Sequence, residues 1–186
     1  MNKIILLLLC AIYLLSIDVI ETVANAANSA SHPELNWEIS MHPKNEKELE
    51  DARWSIILEN NIGIYAYNVE TFTYTQVENS VPNKNIVGVL TRTIFTDKEI
   101  IKNLNIKYKA SLPKKEKISY CKIFLEFDLI NKNYRVREMD VYSNKNTRVD
   151  HLEKNSNFVS VPEGSFAEAL LEICQGAVAM NIVAIR

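Results

Sequence analysis

The 186 residues leave room for one domain and a targeting segment rather than two full domains. Hydrophobic residues at 47% and charged residues at 24% describe a chain that folds around a core, which excludes a disordered tail and a membrane bundle. A formal net charge of −2 gives no global attraction for nucleic acid or anionic lipid, and four glycines in the whole chain argue against a glycine-rich phosphate loop.

Residues 1–26 have the composition of a cleavable signal peptide. Met1 to Lys3 supply a short positive start and Ile4 to Ile17 a nearly unbroken apolar run, and Ala24-Asn25-Ala26 is the small-x-small pattern cut by a signal peptidase. Asp18 ends the run short of the roughly 20 apolar residues that a spanning helix needs. Leu9 before Cys10 is too large for a lipoprotein box. The chain is therefore expected to be exported, with no stable membrane span after cleavage. Export leaves an even number of cysteines, Cys121 and Cys174, and an oxidising compartment favours a bridge between them. The two are expected to be bonded, for a stabilisation of about 4 kcal/mol; two buried free thiols are the competing arrangement.

Residues 27–51 mix Ser, Asn, Pro and charge around Trp37 and read as a polar tether, with a short helix from Glu46 to Asp51. The folded domain is expected over residues 52–186. Trp54 to Leu58 and Ile62 to Tyr67 are β-branched and aromatic runs separated by Glu59-Asn60-Asn61, which predicts a hairpin. Asn85 to Phe95 predicts another strand, with Val87, Val89, Thr91 and Thr93 on one side. Thr96-Asp97-Lys98-Glu99 has the spacing of a capping box opening a helix through Ile100, Ile101, Leu104 and Tyr108. Lys117 to Leu129 and Tyr134 to Tyr142 predict paired strands around an Asn131-Lys132-Asn133 turn, and Asn144-Lys145-Asn146 a turn into a short strand from Thr147 to His151. Pro162-Glu163-Gly164 leads into a second capping box, Ser165 to Glu168, and a helix with Phe166, Ala169, Leu170, Ile173 and Cys174 on one face. The sum is a single small α+β domain, a mostly antiparallel sheet of five to six strands with two helices and one disulfide.

No residue set points to catalysis, a metal or a cofactor. His32 and His42 precede prolines in the tether and lack further ligands for a closed zinc site. Cys121 with His151 would make a nucleophile and base only if the thiol stayed free. Tyr65, Tyr67, Phe72 and Tyr74 are either a stacking platform or the aromatic core of a sheet, with the core favoured. Lys107, Lys109, Lys114, Lys115 and Lys117 form a solvated basic loop or a docking site for an acidic partner.

Taken in order, Trp54, Gly63-Ile64-Tyr65-Ala66-Tyr67-Asn68, Leu90-Thr91-Arg92-Thr93, Tyr108, Cys121, Tyr142, Pro162-Glu163-Gly164-Ser165 and Cys174 resemble the surface-adhesin protein E family of small exported bacterial proteins. The resemblance implies an antiparallel sheet packed against helices, a bridge between Cys121 and Cys174, and adhesion to host extracellular-matrix and plasma proteins or to haem. A non-enzymatic exported binding protein is the expectation. The alternative is an envelope-associated or periplasmic accessory module, and an enzyme ranks last.

Overall fold

The computed structural model describes residues 45–78, 81–154 and 156–185. The expected signal peptide, most of the expected tether, Cys10, His32 and His42 lie outside the described residues. Chain order is α1 (Glu46–Ala52), β1 (Trp54–Glu59), β2 (Gly63–Asn68), β3 (Thr73–Tyr74), β4 (Val77–Glu78), β5 (Val81–Pro82), β6 (Ile86–Phe95), α2 (Lys98–Lys107), β7 (Ile118–Asp128), β8 (Asn133–Ser143), β9 (Arg148–Glu153), β10 (Val159–Ser160), α3 (Phe166–Ala179) and β11 (Ala184–Ile185). Among the described residues nine strands form one sheet in the order β1-β2-β6-β7-β8-β10, with β3 pairing β6, β9 pairing β8 and β11 pairing β3; β4 and β5 make a separate two-stranded ribbon. The β3–β11 pair is parallel, whereas all the other pairings are antiparallel. Among the described residues no helix is long and apolar enough to cross a membrane.

β6 receives two partners along one edge because the chain kinks between β2 and β3. Asn68 Oδ1 accepts from the Glu70 amide at 2.9 Å, and Thr71 Oγ1 donates to the Asn68 carbonyl at 2.9 Å while accepting from the Leu90 amide at 3.0 Å. The threonine hydroxyl thus stands in for the missing strand at Leu90, and β3 resumes the ladder at Gly88 and Val87. Gly63 opens β2 where a Cβ would sit 2.4 Å from the carbonyl oxygen of Ile94, so the β2–β6 approach requires glycine.

Period-two alternation puts Val87, Val89 and Thr91 of β6 and Cys121, Leu125 and Phe127 of β7 on one buried face. α3 lies over one half of that face, where Phe166, Ala167, Leu170, Leu171, Cys174 and Ala177 meet Tyr65, Phe72, Tyr74, Leu125 and Phe127. α2 covers the other half, where Leu104 and Tyr108 meet Phe95, Ile118, Cys121, Met139 and Val141. Tyr65, Phe72 and Tyr74 are therefore core, with Tyr67 half-buried against Phe72 at 5.7 Å between ring centres.

The helix ends differ in detail from expectation. Asp97, not Thr96, caps α2, accepting from the Ile100 amide at 2.7 Å. Ser165 caps α3 by accepting from Glu168 N at 3.2 Å, but the Glu168 carboxylate reaches past the cap amide to Gly164 N at 2.6 Å. In the β7–β8 turn the positive φ falls on Lys132, at 50°, not on an asparagine. Asp128 makes that turn, accepting from the amides of Ile130 and Asn131. Asn146, with φ 62°, takes the left-handed position of the β8–β9 turn.

The expected fold class is corrected in two respects. Among the described residues there are nine strands in the sheet and three helices rather than five to six strands and two helices, because β3, β10 and β11 are two-residue additions without a periodic pattern. The expected disulfide is absent: Cys121 and Cys174 are both buried and unbonded. Cys121 sits in the cluster under α2 and Cys174 in the cluster under α3, each packed as a small apolar side chain. Burial pushes both thiols up to about 12, the state of an inert core cysteine.

Candidate functional site

An antiparallel sheet with helices on one face presents its alternate residues on the other. Among the described residues only the short α1 leans over that face, at its β1 edge. Such a face is ordinarily covered with small polar and charged side chains. Here rows of aromatic and charged residues run across it. One row passes from Arg92 of β6 through Lys122 of β7 and Asp140 of β8 to His151 of β9, each directly opposite the next. The neighbouring row on one side is Ile94, Tyr120 and Tyr142, and on the other Leu90, Phe124, Glu138 and Glu153. Leu90, Arg92, Tyr120, Lys122, Phe124, Asp140 and Tyr142 are all half-buried.

Trp54 organises the β1 end. Its ring is buried, its Nε1 donates to Glu50 of α1 at 3.1 Å, and the Arg92 guanidinium lies 4.4 Å from its centroid. Lys122 Nζ is 5.4 Å from the same ring, 5.6 Å from Tyr142 and 3.8 Å from a Glu50 carboxylate oxygen. Two cations opposite one another in a ladder repel; the shared indole face and Glu50 offset this. Tyr120 and Tyr142 stack at 4.8 Å with 7° between planes. Burial raises the pKa of both phenols, and Asp140 raises Tyr142 further, so both stay protonated.

At the β9 end, His151 Nδ1 lies 2.7 Å from Asp140 Oδ1 and its Nε2 3.6 Å from Glu153, while Arg148 approaches Asp140 at 3.7 Å. The hydrogen bond with Asp140 raises the His151 pKa above its ordinary value. At the other end Glu126 is buried, engaged by Arg135 Nε at 2.5 Å and Arg137 Nε at 3.8 Å, and Arg135 stacks on Phe158 at 4.5 Å. A groove of about 520 Å3 opens between these rows and the C-terminal strand, floored by Leu90 and Phe124 and bounded by Glu138, Tyr142, Thr73 and Ile185.

Cys121 and His151 do not come together: the cysteine is on the helix-covered face, whereas His151 is opposite Asp140 on the bare one. The basic loop is dispersed, with Lys107 donating to the Tyr108 hydroxyl at 2.7 Å and Lys109, Lys114, Lys115 and Lys117 exposed. Among the described residues no group of three or more His, Cys, Asp or Glu side chains is placed to hold a metal ion. Sequence reasoning missed the aromatic and charged rows entirely. The signal was the even-numbered residues of Lys117 to Leu129, where the aromatics Tyr120 and Phe124 flank Lys122 at positions that a solvated face usually gives to polar or charged residues.

No protein-family model matches this chain, and no curated protein matches it in sequence. Two solved structures of protein E are similar to it. Crystal form II of Haemophilus influenzae protein E matches with a TM-score of 0.44 and 12% identity, over 69% of this chain and 91% of that one. Protein E from non-typeable Haemophilus influenzae matches with a TM-score of 0.42 and 13% identity, over 72% of this chain and 82% of that one. Membership of the protein E family does not follow from likenesses at this level.

Proposed function

We propose that this chain is an exported, non-enzymatic binding protein whose ligand is another protein, engaged through the face of the sheet opposite α2 and α3. The observation that carries the reading is the cluster of buried Trp54 with half-buried Arg92, Lys122, Tyr120 and Tyr142 on a face that neither long helix covers. Aromatic and arginine side chains held rigid by stacking are the residue types that dominate protein interfaces, since they bring large contact area at small entropic cost. The signal-peptide pattern of residues 1–26 supports export, and the motif resemblance points to host matrix and plasma proteins as the ligands to try first.

Binding of the purified chain to immobilised matrix and plasma proteins tests the proposal, with a Lys122→Ala and Tyr142→Ala double variant beside it. Saturable binding lost in the variant, whose folding is checked by thermal unfolding, is the expected result. No saturable binding at micromolar concentration, or equal binding by the variant, overturns the reading. Protease treatment of intact cells is expected to remove the chain; a chain spared in intact cells and cut after envelope disruption is inside the envelope and not a surface adhesin.

A further inference from the structure

The groove beside β11 is open, and the stretch of chain that leads into α1 carries an apolar side of its own. We infer that residues 35–41 of this same chain dock in the groove when no partner is bound, with Trp37 on its floor, and that a partner has to displace them. The occupant is the chain itself, so the inference goes beyond the proposed function.

Pattern marks the segment out. Leu35, Trp37, Ile39 and Met41 alternate with Asn36, Glu38, Ser40 and His42. A strict period of two gives an extended run one apolar side, and that side gains by meeting an apolar surface. Composition alone reads the stretch as a tether, yet a solvated tether has no use for large apolar residues at a fixed spacing. The groove supplies the surface. Leu90, Phe124 and Tyr142 line it, and Ile185 at its lip is 70% exposed. Three of the charges around it are matched within the chain: Glu70 pairs with Arg53 at 3.0 Å, Asp140 with His151 at 2.7 Å, and Lys122 lies 3.8 Å from Glu50. Apolar contact is what remains on offer, and a volume of about 520 Å3 accommodates an indole.

Position selects this occupant. α1 borders the groove at two points, because its C-cap Arg53 pairs with the groove residue Glu70 and its Glu50 lies against the groove residue Lys122. The N-cap Asn45 is ~7.5 Å along the helix axis from Glu50. The chain from Trp37 to Asn45 spans up to about 27 Å when extended, so the segment reaches the groove with length to spare. A tethered segment of this reach meets the groove at an effective concentration in the millimolar range, ahead of a dilute free partner.

The test uses the full chain as purified from the expressing cell, labelled with nitrogen-15, beside Trp37→Ala and Asn36→Ala, one from each side of the alternation. Trp37→Ala is expected to shift the amide signals of Leu90, Phe124, Tyr142 and Ile185 and to leave those of Leu170 and Leu171 in α3 in place, which shows the fold intact. Asn36→Ala is expected to leave the groove signals unmoved. An acetylated and amidated peptide of residues 33–44, added to the Trp37→Ala chain, is expected to return the groove signals toward their wild-type positions in a saturable manner, and the same peptide with its tryptophan replaced by alanine to fail. Groove signals untouched by Trp37→Ala, equal effects of the two substitutions, or equal action of the two peptides overturns the inference. Wild-type groove signals that move with protein concentration name a second copy as the occupant and overturn it too. In the protein-binding assay Trp37→Ala is expected to bind about three- to tenfold tighter, as when the segment fills about two-thirds to nine-tenths of wild-type grooves; binding no tighter, despite moved groove signals, overturns the displacement. Equal binding by both chains with groove signals untouched leaves the proposed function standing and the inference fallen. Moved groove signals with no protein bound by either chain leave the docked segment standing and the proposed function fallen.

Discussion

Replacing the two cysteines singly and together asks whether the core is held by packing or by a covalent bond. Cys121 and Cys174 are 1% and 0% exposed and unbonded, one in the cluster under α2 and the other in the cluster under α3. Truncation to alanine removes one buried heavy atom, comparable to a methylene at about 0.8 kcal/mol, and the residual cavity raises this to roughly 1–1.5 kcal/mol per site. Ile123 is the partly buried side chain that packs against both clusters, so the coupling between the sites should stay below about 0.5 kcal/mol and the double variant should lose about 2–3 kcal/mol. Urea unfolding of the wild type, both single variants and the double variant, without reductant, measures all four corners of the cycle. A bonded pair behaves otherwise: either single variant loses the whole cross-link, about 4 kcal/mol, and the second substitution costs almost nothing more. That pattern, together with no reactive thiol at either position in denaturant, would refute the two-cluster account.

Gly63→Ala should lower stability by about 1–3 kcal/mol, because its Cβ would meet the Ile94 carbonyl oxygen at 2.4 Å in a backbone ladder unable to yield; an unchanged melting temperature would show that the strands separate freely there. Arg135→Met leaves the Glu126 carboxylate buried with only the longer Arg137 contact and should cost about 3 kcal/mol in urea unfolding, while Glu126→Leu combined with Arg135→Met should recover most of it. His151 has its pKa raised from 6.5 by Asp140, so its contribution to stability is fully present below pH 6.5 and is lost as pH rises through the folded value. Asp128 and Glu116 have lowered values, so their contributions are lost only on acidification and leave that window clear. The urea midpoint should therefore fall as pH rises above 6.5 in the wild type, and Asp140→Asn should flatten that dependence; an identical slope in both would refute the pairing.

Long periodic segments were readable in advance. β6, β7, β8, α2 and α3 follow the apolar spacing of Val87 to Phe95, Ile118 to Asp128 and Phe166 to Ala179, and the β1–β2 hairpin follows its Asn60-Asn61 turn. The two-residue strands were not readable, since Thr73–Tyr74 and Ala184–Ile185 owe their pairing to Thr71 and to the return of the chain after α3 rather than to any local pattern. The cap of α2 slipped by one residue for a related reason, whereas that of α3 falls on Ser165 as expected. Thr96 and Asp97 both offer an oxygen, and the Thr96 and Asp97 amides are already taken by the Ile62 carbonyl, which fixes the strand exit and hands the cap to Asp97.

The cysteine error and the missed face share one cause, the attribution of each residue to a partner chosen from the sequence instead of to a side of the sheet. Cysteine parity suggested a pair, yet Cys121 turns inward at the α2 end of β7 beside Phe95, Leu104 and Tyr108, whereas Cys174 packs in the cluster under α3. The alternation along β7 turns Tyr120, Lys122 and Phe124 outward, where each acquires meaning only from a side chain or glycine on another strand: Tyr120 from Tyr142, Lys122 from Trp54, Phe124 from Gly88. Phe124 shows how tight that dependence is. Its ring lies where a Cβ on residue 88 would come within 2.4 Å, so the glycine two positions before Leu90 is what leaves room for an aromatic in the groove wall. A face assembled from cross-strand contacts of this kind is invisible to any one strand's sequence, and it emerges once register sets Arg92, Lys122, Asp140 and His151 side by side.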